Sequence, residues 1–450
     1  NATTSSIVPG FTDRITEVRA VPTSTINMQT VGPNHYMVRM RRLDLSAEQE
    51  FGPLQLDYTA NFARTTLNNG QGEGGDFTMR LTGVGWILDR TQSDLHPRFV
   101  QTAGPDMTNP ANYRPAPNGL VHNNGQSENR LREVRGNARY VLPTPVPIVV
   151  KAGAQWRETL AQVISDGRRW NYVGTGPLPS NPNRIVYDQL KTGRHMPQWE
   201  TTWFLSRRTI VEPALWSEDL YNREANKYST PRKLMETVTA GYLMAQGKFG
   251  REGFLGRTSY LGGVRTEKTD TSGAGWVLAR ASLRSTTAQR LADPVGSAAQ
   301  DYGNTFRKAD GSYTKSFPSA HLSHDITPNL KARLSWSTSF GRPAMSNFHP
   351  GESANENAET LTINNPSLLP QTATNWDASL DYYFEPVGNL SVGFFKKTIK
   401  DYIVSGFNTG TIPSGNDNGY DGNYANFTRL QSLNAGTAFV QGWEFGYQQQ

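Results

Sequence analysis

From Leu330 the chain reads LKARLSWST and alternates without a slip. Leu330, Ala332, Leu334, Trp336 and Thr338 fall on one side of an extended chain, and Lys331, Arg333, Ser335 and Ser337 on the other. The same period of two recurs throughout. Leu54, Leu56, Tyr58, Ala60 and Phe62 oppose Gln55, Asp57, Thr59 and Asn61. Val134, Gly136, Ala138 and Tyr140 oppose Arg135, Asn137 and Arg139; Ile148, Val150, Ala152, Ala154 and Trp156 oppose Lys151, Gly153, Gln155 and Arg157. Further rows are formed by Val238, Ala240, Tyr242 and Met244, by Leu380, Tyr382 and Phe384, by Leu390, Val392 and Phe394, and by Phe439, Trp443, Phe445 and Tyr447. About fourteen to sixteen such segments, each roughly 9–13 residues long, predict an all-β antiparallel protein, with no period-3.6 helix competing.

The connections decide what the apolar side faces. Some are tight: 142–147 (LPTPVP), 327–329 (TPN) and 386–389 (PVGN), with 48–53 and 247–253 slightly longer. Others are long and polar: about 89–128, 158–200, 207–233, 286–316, 342–374 and 405–423. Long structureless loops argue against a compact soluble domain. Their alternation with tight turns fits a transmembrane β-barrel with short periplasmic turns and long extracellular loops. Parity does not close between 89 and 128, where one more strand is expected. Leu334, Trp336, Val150 and Ala152 are then expected to face lipid, and Lys331, Arg333, Lys151 and Gln155 a wet lumen. Trp156, Trp336, Phe340, Phe384 and Trp443 sit near strand ends, where interfacial aromatic girdles lie.

Composition supports this picture. Only 36% of the 450 residues are apolar, yet 10% are aromatic, with 10 Trp, 18 Tyr and 19 Phe. No stretch approaches the roughly 18 apolar residues of a spanning helix. The net charge of +6 is spread singly along the chain, without the clustering of a nucleic-acid footprint. There is no cysteine, so no disulfide or thiolate site. Residues 1–20 lack the basic–apolar–small pattern of a signal peptide. The chain stops at WEFGYQQQ within an alternating segment, so it reads as a fragment with an open sheet edge beyond Tyr447, near the 405–436 hairpin.

Residues 317–406 carry SFPSAHLSHDITPNLKARLSWSTSFGRP, then NNPSLLPQTATNWDASLDYYF, then NLSVGFFKKTIKDYI. They resemble the TonB-dependent receptors of Gram-negative outer membranes. Ser337, Arg342 and Pro343 match the family's strand ending in Arg-Pro; Asn365, Pro366, Leu368 and Pro370 match its Asn-Pro-x-Leu-x-Pro motif. Phe395, Lys396, Ile399, Asp401 and Ile403 match the following strand, and Gly442 and Glu444 the late Gly-x-Glu strand. The resemblance implies an outer-membrane transporter that admits a scarce solute, powered by TonB acting on an N-terminal plug. The pattern is similar to a branch linked to oligosaccharide uptake; an iron–siderophore-like ligand is the other expectation. The family's barrels have about 22 strands. Residues 1–450 are therefore expected to form one partial barrel domain, with the plug and the C-terminal strands outside it.

Candidate chemistry is sparse. Gly70, Gly72 and Gly75 have dinucleotide-loop spacing, but the following FTMRLTG reads as a strand, so a hairpin tip is expected. His321 and His324 fall on opposite strand faces and cannot chelate one ion. Asp417 and Asp421 offer oxygen ligands without a full calcium-loop pattern. Asp57, Glu236 and Asp381 read as solitary, solvated lumen charges, and nothing pairs an acid with a base or a nucleophile. No catalytic residue, metal or cofactor is expected. Ligand contacts are expected on the loops: His96, Arg98, Asp106, Tyr113, Arg114 and His122 in one, Phe407, Asn408, Asn416, Asp417 and Tyr420 in another. Aromatic faces and Asn, Asp or Arg side chains suit a polyhydroxyl solute. The rival reading is a soluble β-rich glycan-binding protein or adhesin; a β-rich glycan-degrading enzyme is a second, needing a carboxylate pair.

Overall fold

The computed structural model describes residues 6–31, 35–71, 75–175, 185–188, 196–199, 214–279, 283–349, 351–355, 358–418, 420 and 422–449. Its main feature is a wall of long antiparallel strands, each paired with its neighbours in the wall: β1 (His35–Phe51), β2 (Leu54–Gly70), β3 (Arg114–Leu142), β4 (Ile148–Tyr172), β5 (Arg232–Lys248), β6 (Thr258–Trp276), β7 (Phe306–Thr327), β8 (Leu330–Gly341), β9 (Gln371–Phe384), β10 (Gly388–Lys400) and β11 (Thr437–Gln449). With the shorter strands Thr25–Thr30, Asp76–Thr82 and Trp216–Glu218 the sheet has 14 strands. β1 and β11 are the two ends of the long-strand wall among the described residues, so the wall is open.

The connections separate cleanly. Residues 52–53, 143–147, 249–257, 328–329 and 385–387 turn at one rim; residues 71–113, 173–231, 277–305, 342–370 and 401–436 make long excursions at the other. Gly52 enables the tightest turn by taking a φ of +59°. The parity problem between 89 and 128 disappears. β2 pairs directly with β3, Leu54 with Tyr140 up to Gly70 with Asn124, and among the described residues the 71–113 excursion adds to the sheet only the short strand Asp76–Thr82, on the upper end of β3. Residues 114–128, 158–172 and 306–316, expected in loops, instead extend β3, β4 and β7. Above the apolar belt a strand has no lipid face, so it loses alternation while keeping its ladder of hydrogen bonds.

Directly opposed residues of antiparallel strands share a face. Pairing links Leu334 to Leu322, Leu322 to Tyr260, Tyr260 to Gly247, Gly247 to Ile148 and Ile148 to Leu142. That face carries Val150, Ala152, Trp156, Tyr140, Leu54 and Leu56. In the other direction it carries Trp376, Phe394 and Trp443. Its apolar residues lie open: Leu334 is 47% exposed and Phe445 77%. Rings pair across strands there, Trp336 with Trp376 (6.3 Å) and Phe394 with Trp443 (5.1 Å). Tyr382, Phe384 and Tyr447 stack at the turn rim.

Three expectations change. The row Val238, Ala240, Tyr242, Met244 lies on the inner face, because Leu243 is the residue paired with Ala152 and Val264. Phe340 stacks on Phe317 at 4.5 Å, and Phe317 is set inward by pairing with Arg265, so Phe340 leaves the outer girdle. The inner carboxylates are not solitary. Asp381 pairs with Arg333, Asp57 accepts from Asn137 (2.7 Å), and Glu236 lies 3.4 Å from Arg157 and 3.6 Å from Arg342.

Candidate functional site

The long-loop rim holds two built regions. The first is an apolar cluster of Phe77, Met79, Leu81, Val84, Met107, Tyr113, Leu120, Trp170 and Trp216. It rests on the upper ends of β3 and β4. Thr25–Thr30 pairs with Asp76–Thr82, while Ile15–Val18, Gly85–Asp89 and Arg98–Ala103 form a small sheet beside it. Tyr113 is central, 1% exposed, and its hydroxyl donates to the Met107 carbonyl at 2.8 Å. Its expected role at a ligand is therefore corrected: it is a core residue, and burial raises its phenol pKa. Arg114 donates to the carbonyls of Ala111 and Tyr113, both at 2.8 Å, and Asp106 accepts from the backbone and hydroxyl of Thr108. His96 and Arg98 are exposed, and His122, half-buried on β3, lies 3.4 Å from the Asn124 amide.

The second region is a vestibule over β5 and β6, lined by Arg232, Trp276, Tyr302, His349, Glu352 and Asn364. It has a neighbouring cavity bounded by Leu278, Arg284, Glu352, Asn355 and Tyr424. The sequence Ser272–Gly273–Ala274–Gly275 explains how a loop comes so close to the wall. A Cβ at Gly273 would stand 2.0 Å from the Phe348 carbonyl oxygen, and one at Gly275 2.4 Å from His349 Nε2. Only glycine lets the short 3-10 turn Met345–Phe348 press onto the inner face of β6. His349 is buried, and its Nε2 is enclosed with no partner among the described residues. Burial, with the Arg232 charge adding to it, holds its pKa below the ordinary histidine value and keeps the ring neutral.

Helices frame this vestibule. Leu220–Ser229 (α1) begins on Asp219, whose side chain accepts from Asn222 N at 2.9 Å. Thr286 opens Thr287–Ala292 (α2) with a capping box, and Asp293 opens Pro294–Tyr302 (α3). Asp301, fully buried, accepts from Ser285 N (2.6 Å), Ser285 Oγ (3.0 Å), Arg290 (3.0 Å) and the Tyr221 hydroxyl. Tyr302 stacks on Tyr228 at 6.1 Å, and Tyr228 meets Trp276 edge-on at 5.8 Å. Arg284 donates to the Tyr424 hydroxyl at 3.0 Å, and Tyr424 touches Tyr420 edge-on at 5.7 Å. The vestibule thus presents arginines, carboxamides and aromatic faces, chemistry suited to an oxygen-rich solute.

Of the second expected loop, Tyr420 reaches this vestibule through Tyr424. Phe407 and Asn408 lie on the strand Ile403–Thr411, which pairs with Thr428–Asn434; Asn416 and Asp417 are exposed beyond it. Asp421 lies outside the described residues. The first group lies in the 71–113 excursion and at the upper end of β3, the second in the 401–436 excursion, and they do not form one site. Arg232, Trp276, Arg284, Tyr302, His349 and Tyr424 were missed, because a lone residue at the end of a strand or helix carries no pattern. The double glycine of β6 was the available signal.

The matched motif residues have structural duties. Arg342 reaches Glu267 at 2.6 Å and covers the Phe340 ring at 4.6 Å, while Pro343, Leu368 and Pro370 are buried. Asn365 donates to the Ser432 carbonyl (3.0 Å) and accepts from Ser367 N; the Pro366 carbonyl approaches Gly311. Gly442 leaves room for the Phe395 ring, and Glu444 faces inward opposite Gly393. His321 lies on the inner face; His324, on the outer, meets Thr258 Oγ1 at 2.9 Å. The segment after Gly75 is the strand Asp76–Thr82; residues 72–74 lie outside the described residues.

A family model described as TonB dependent receptor-like, beta-barrel, matches residues 10–450, well beyond the 317–406 segment that carries the motifs. No curated protein matches the chain. Among solved structures it is similar to the hemophore receptor HasR of Serratia marcescens (10% identity, 96% of this chain and 51% of that one, TM-score 0.40). It is also similar to the ferric-catecholate import receptor Fiu of E. coli K12 (11%, 97% and 58%, TM-score 0.40) and to the copper transporter OprC (12%, 91% and 50%, TM-score 0.39). The chain spans about half the length of these proteins.

Proposed function

The chain belongs to the TonB-dependent receptor family of Gram-negative outer membranes, whose members are transporters rather than enzymes, and on that premise we propose that it forms the wall and outer vestibule of a solute importer. The observation that carries this reading is the segregation of connections: every long excursion opens on one rim, every tight turn closes the other. A solute arriving from outside meets the vestibule of Arg232, Trp276, Tyr302, His349, Arg284 and Tyr424 before it meets the ion-lined inner face. Its ligand is a small oxygen-rich solute of the oligosaccharide or iron–siderophore class. Arginine and asparagine side chains bond to its oxygens and the aromatic rings cover its apolar faces. Release into the periplasm requires TonB acting through a plug inside the barrel.

The test uses the natural full-length receptor in cells. Ligand screening by uptake should find a solute whose import stops when TonB is deleted while surface binding persists. Trp276→Ala with Arg284→Ala should weaken binding of that solute by about tenfold or more, about the loss of one or two good hydrogen bonds. Uptake that continues at full rate without TonB would refute the energy coupling. Unchanged affinity in the folded double variant would refute the vestibule.

A further inference from the structure

A small sheet beside the vestibule ends in two unlike edges. Among the described residues its strands run in the order Glu352–Asn355, Thr360–Ile363, Thr428–Asn434, Ile403–Thr411. At the Ile403–Thr411 end the register shifts between Val404 and Phe407 and again between Asn408 and Thr411, and Gly406 and Gly410 take positive φ. Such breaks spoil an edge for further pairing. At the other end Glu352–Asn355 pairs with Thr360–Ile363 without a shift, and it carries neither proline nor lysine. One edge is blunted; the other is left straight.

The register tells which groups the straight edge presents. Asn364 N–H donates to the Gly351 carbonyl at 3.0 Å, so Gly351 and Asn364 are a hydrogen-bonded pair. Such pairs alternate with non-bonded ones along an antiparallel ladder. Ser353 and Asn355 therefore turn their backbone groups towards Thr362 and Thr360, while Glu352 and Ala354 turn theirs outward. The outward N–H and C=O groups have no backbone partner among the described residues.

A second free edge borders the same space. Just past the end of β6, Val277 N–H donates to the Thr305 carbonyl (3.2 Å) and Ala279 N–H to the Asp301 carbonyl (2.7 Å). Leu278, between them, directs its own N–H and C=O the other way. Leu278 lines both vestibule cavities together with Glu352 and Ser353, and the larger, of about 610 Å³, also reaches Ala354 and Asn355. Alternate residues of a strand point to opposite faces, so a cavity touching all four lies along its edge. Arg284 and Glu352 bring one charge of each sign to this cavity, matching the carboxylate and ammonium ends of a short peptide.

We propose that this slot takes a short extended peptide, about four residues long, as an added strand between Glu352–Asn355 and Leu278. Four residues span about 13 Å, the length of the straight edge. An extended peptide presents N–H and C=O to both sides at the strand repeat, which a sugar does not. The inference rests on the importer reading and narrows the solute to one with several consecutive peptide bonds.

The test incubates the full-length receptor, in mild detergent, with an equimolar mixture of random-sequence tetrapeptides and identifies those retained by mass spectrometry. The natural protein should retain a defined subset. The same sequences with every backbone amide N-methylated should bind at least about tenfold more weakly, roughly the loss of one good hydrogen bond. Ala354→Pro removes an outward donor and leaves the pairing with Thr360–Ile363 intact, because an edge strand tolerates proline where the N–H faces away. It should retain at least about tenfold less peptide. Migration on an unheated gel reports whether the variant is folded. No retention by the natural protein, equal binding of the methylated peptides, or full retention by folded Ala354→Pro overturns the proposal. TonB-dependent uptake of a non-peptide solute without any peptide retention overturns the slot alone. Peptide retention without TonB-dependent uptake of any solute overturns the importer alone.

Discussion

Placing one charge on either side of a single wall strand separates a lipid-facing surface from a lumenal one. Leu334 points outward between Leu322 and Ala378, with nearly half its surface open. It lies four residues above Leu330 at the turn rim, about 13 Å along the strand, or roughly 10 Å of depth at a 40° tilt. In an apolar band about 25 Å tall that is close to the midplane, where an arginine costs about 2–4 kcal/mol. Leu334→Arg should therefore lower the folding equilibrium constant of the full-length barrel about 30- to 700-fold. Its neighbour Ser335 faces inward opposite Asp377, so Ser335→Arg gains a carboxylate and should change stability by less than about 0.5 kcal/mol. The assay is reversible urea unfolding in lipid vesicles, followed by tryptophan fluorescence. Equal costs for the two variants, or a larger cost at 335, would refute the assignment of faces.

The remaining predictions concern the inner face, the rim and the loops. A double-mutant cycle of Arg342→Gln and Glu267→Gln should give a coupling of about 1 kcal/mol or more, since their 2.6 Å contact is largely enclosed; additivity would remove the pair from the wall's stability. Tyr113→Phe should cost about 1 kcal/mol in unfolding experiments and leave solute affinity unchanged. Because burial raises the Tyr113 pKa, the folded form keeps a proton that the unfolded form loses above about pH 10. Stability should thus fall as pH climbs past that point, less steeply in the variant. Gly275→Ala should displace the 342–370 loop and speed its cleavage by protease, because the new Cβ meets His349 Nε2 at 2.4 Å. Deleting 408–420 should weaken solute binding if Tyr420 supports the vestibule through Tyr424; unchanged affinity would confine the site to Arg232, Trp276 and their neighbours.

Alternation made the belt legible. Leu334, Trp336, Val150 and Ala152 share one open face of the wall, as the period of two required of them. Where that constraint ends, so did the reading. Residues 114–128 and 158–172 continue β3 and β4 as polar strands that look like loop. Val238, Ala240, Tyr242 and Met244 look lipid-facing but line the interior, since the true outer residues there, Gly241, Leu243 and Ala245, set a single leucine between two small residues and pattern weakly. Tyr113 looked like a binding aromatic because nothing in its neighbourhood foretold the cluster of Phe77, Leu120 and Trp216 around it. The vestibule was invisible for a related reason: Trp276, Arg284 and His349 are brought together only by tertiary packing.

The length of the ladders bears on how such a molecule can work. β3 and β4 pair without a break from Leu120 with Trp170 down to Leu142 with Ile148, and β5 and β6 pair from Arg232 with Gly275 to Lys248 with Ser259. Bending such a strand pair outward would break many backbone bonds at once, with no water in the bilayer to replace them. The wall is thus a stiff shell. Elastic motion is left to the rim excursions and to whatever fills the bore. Amide hydrogens of the ladders should accordingly exchange far more slowly than those of residues 342–370, whether or not a solute is bound.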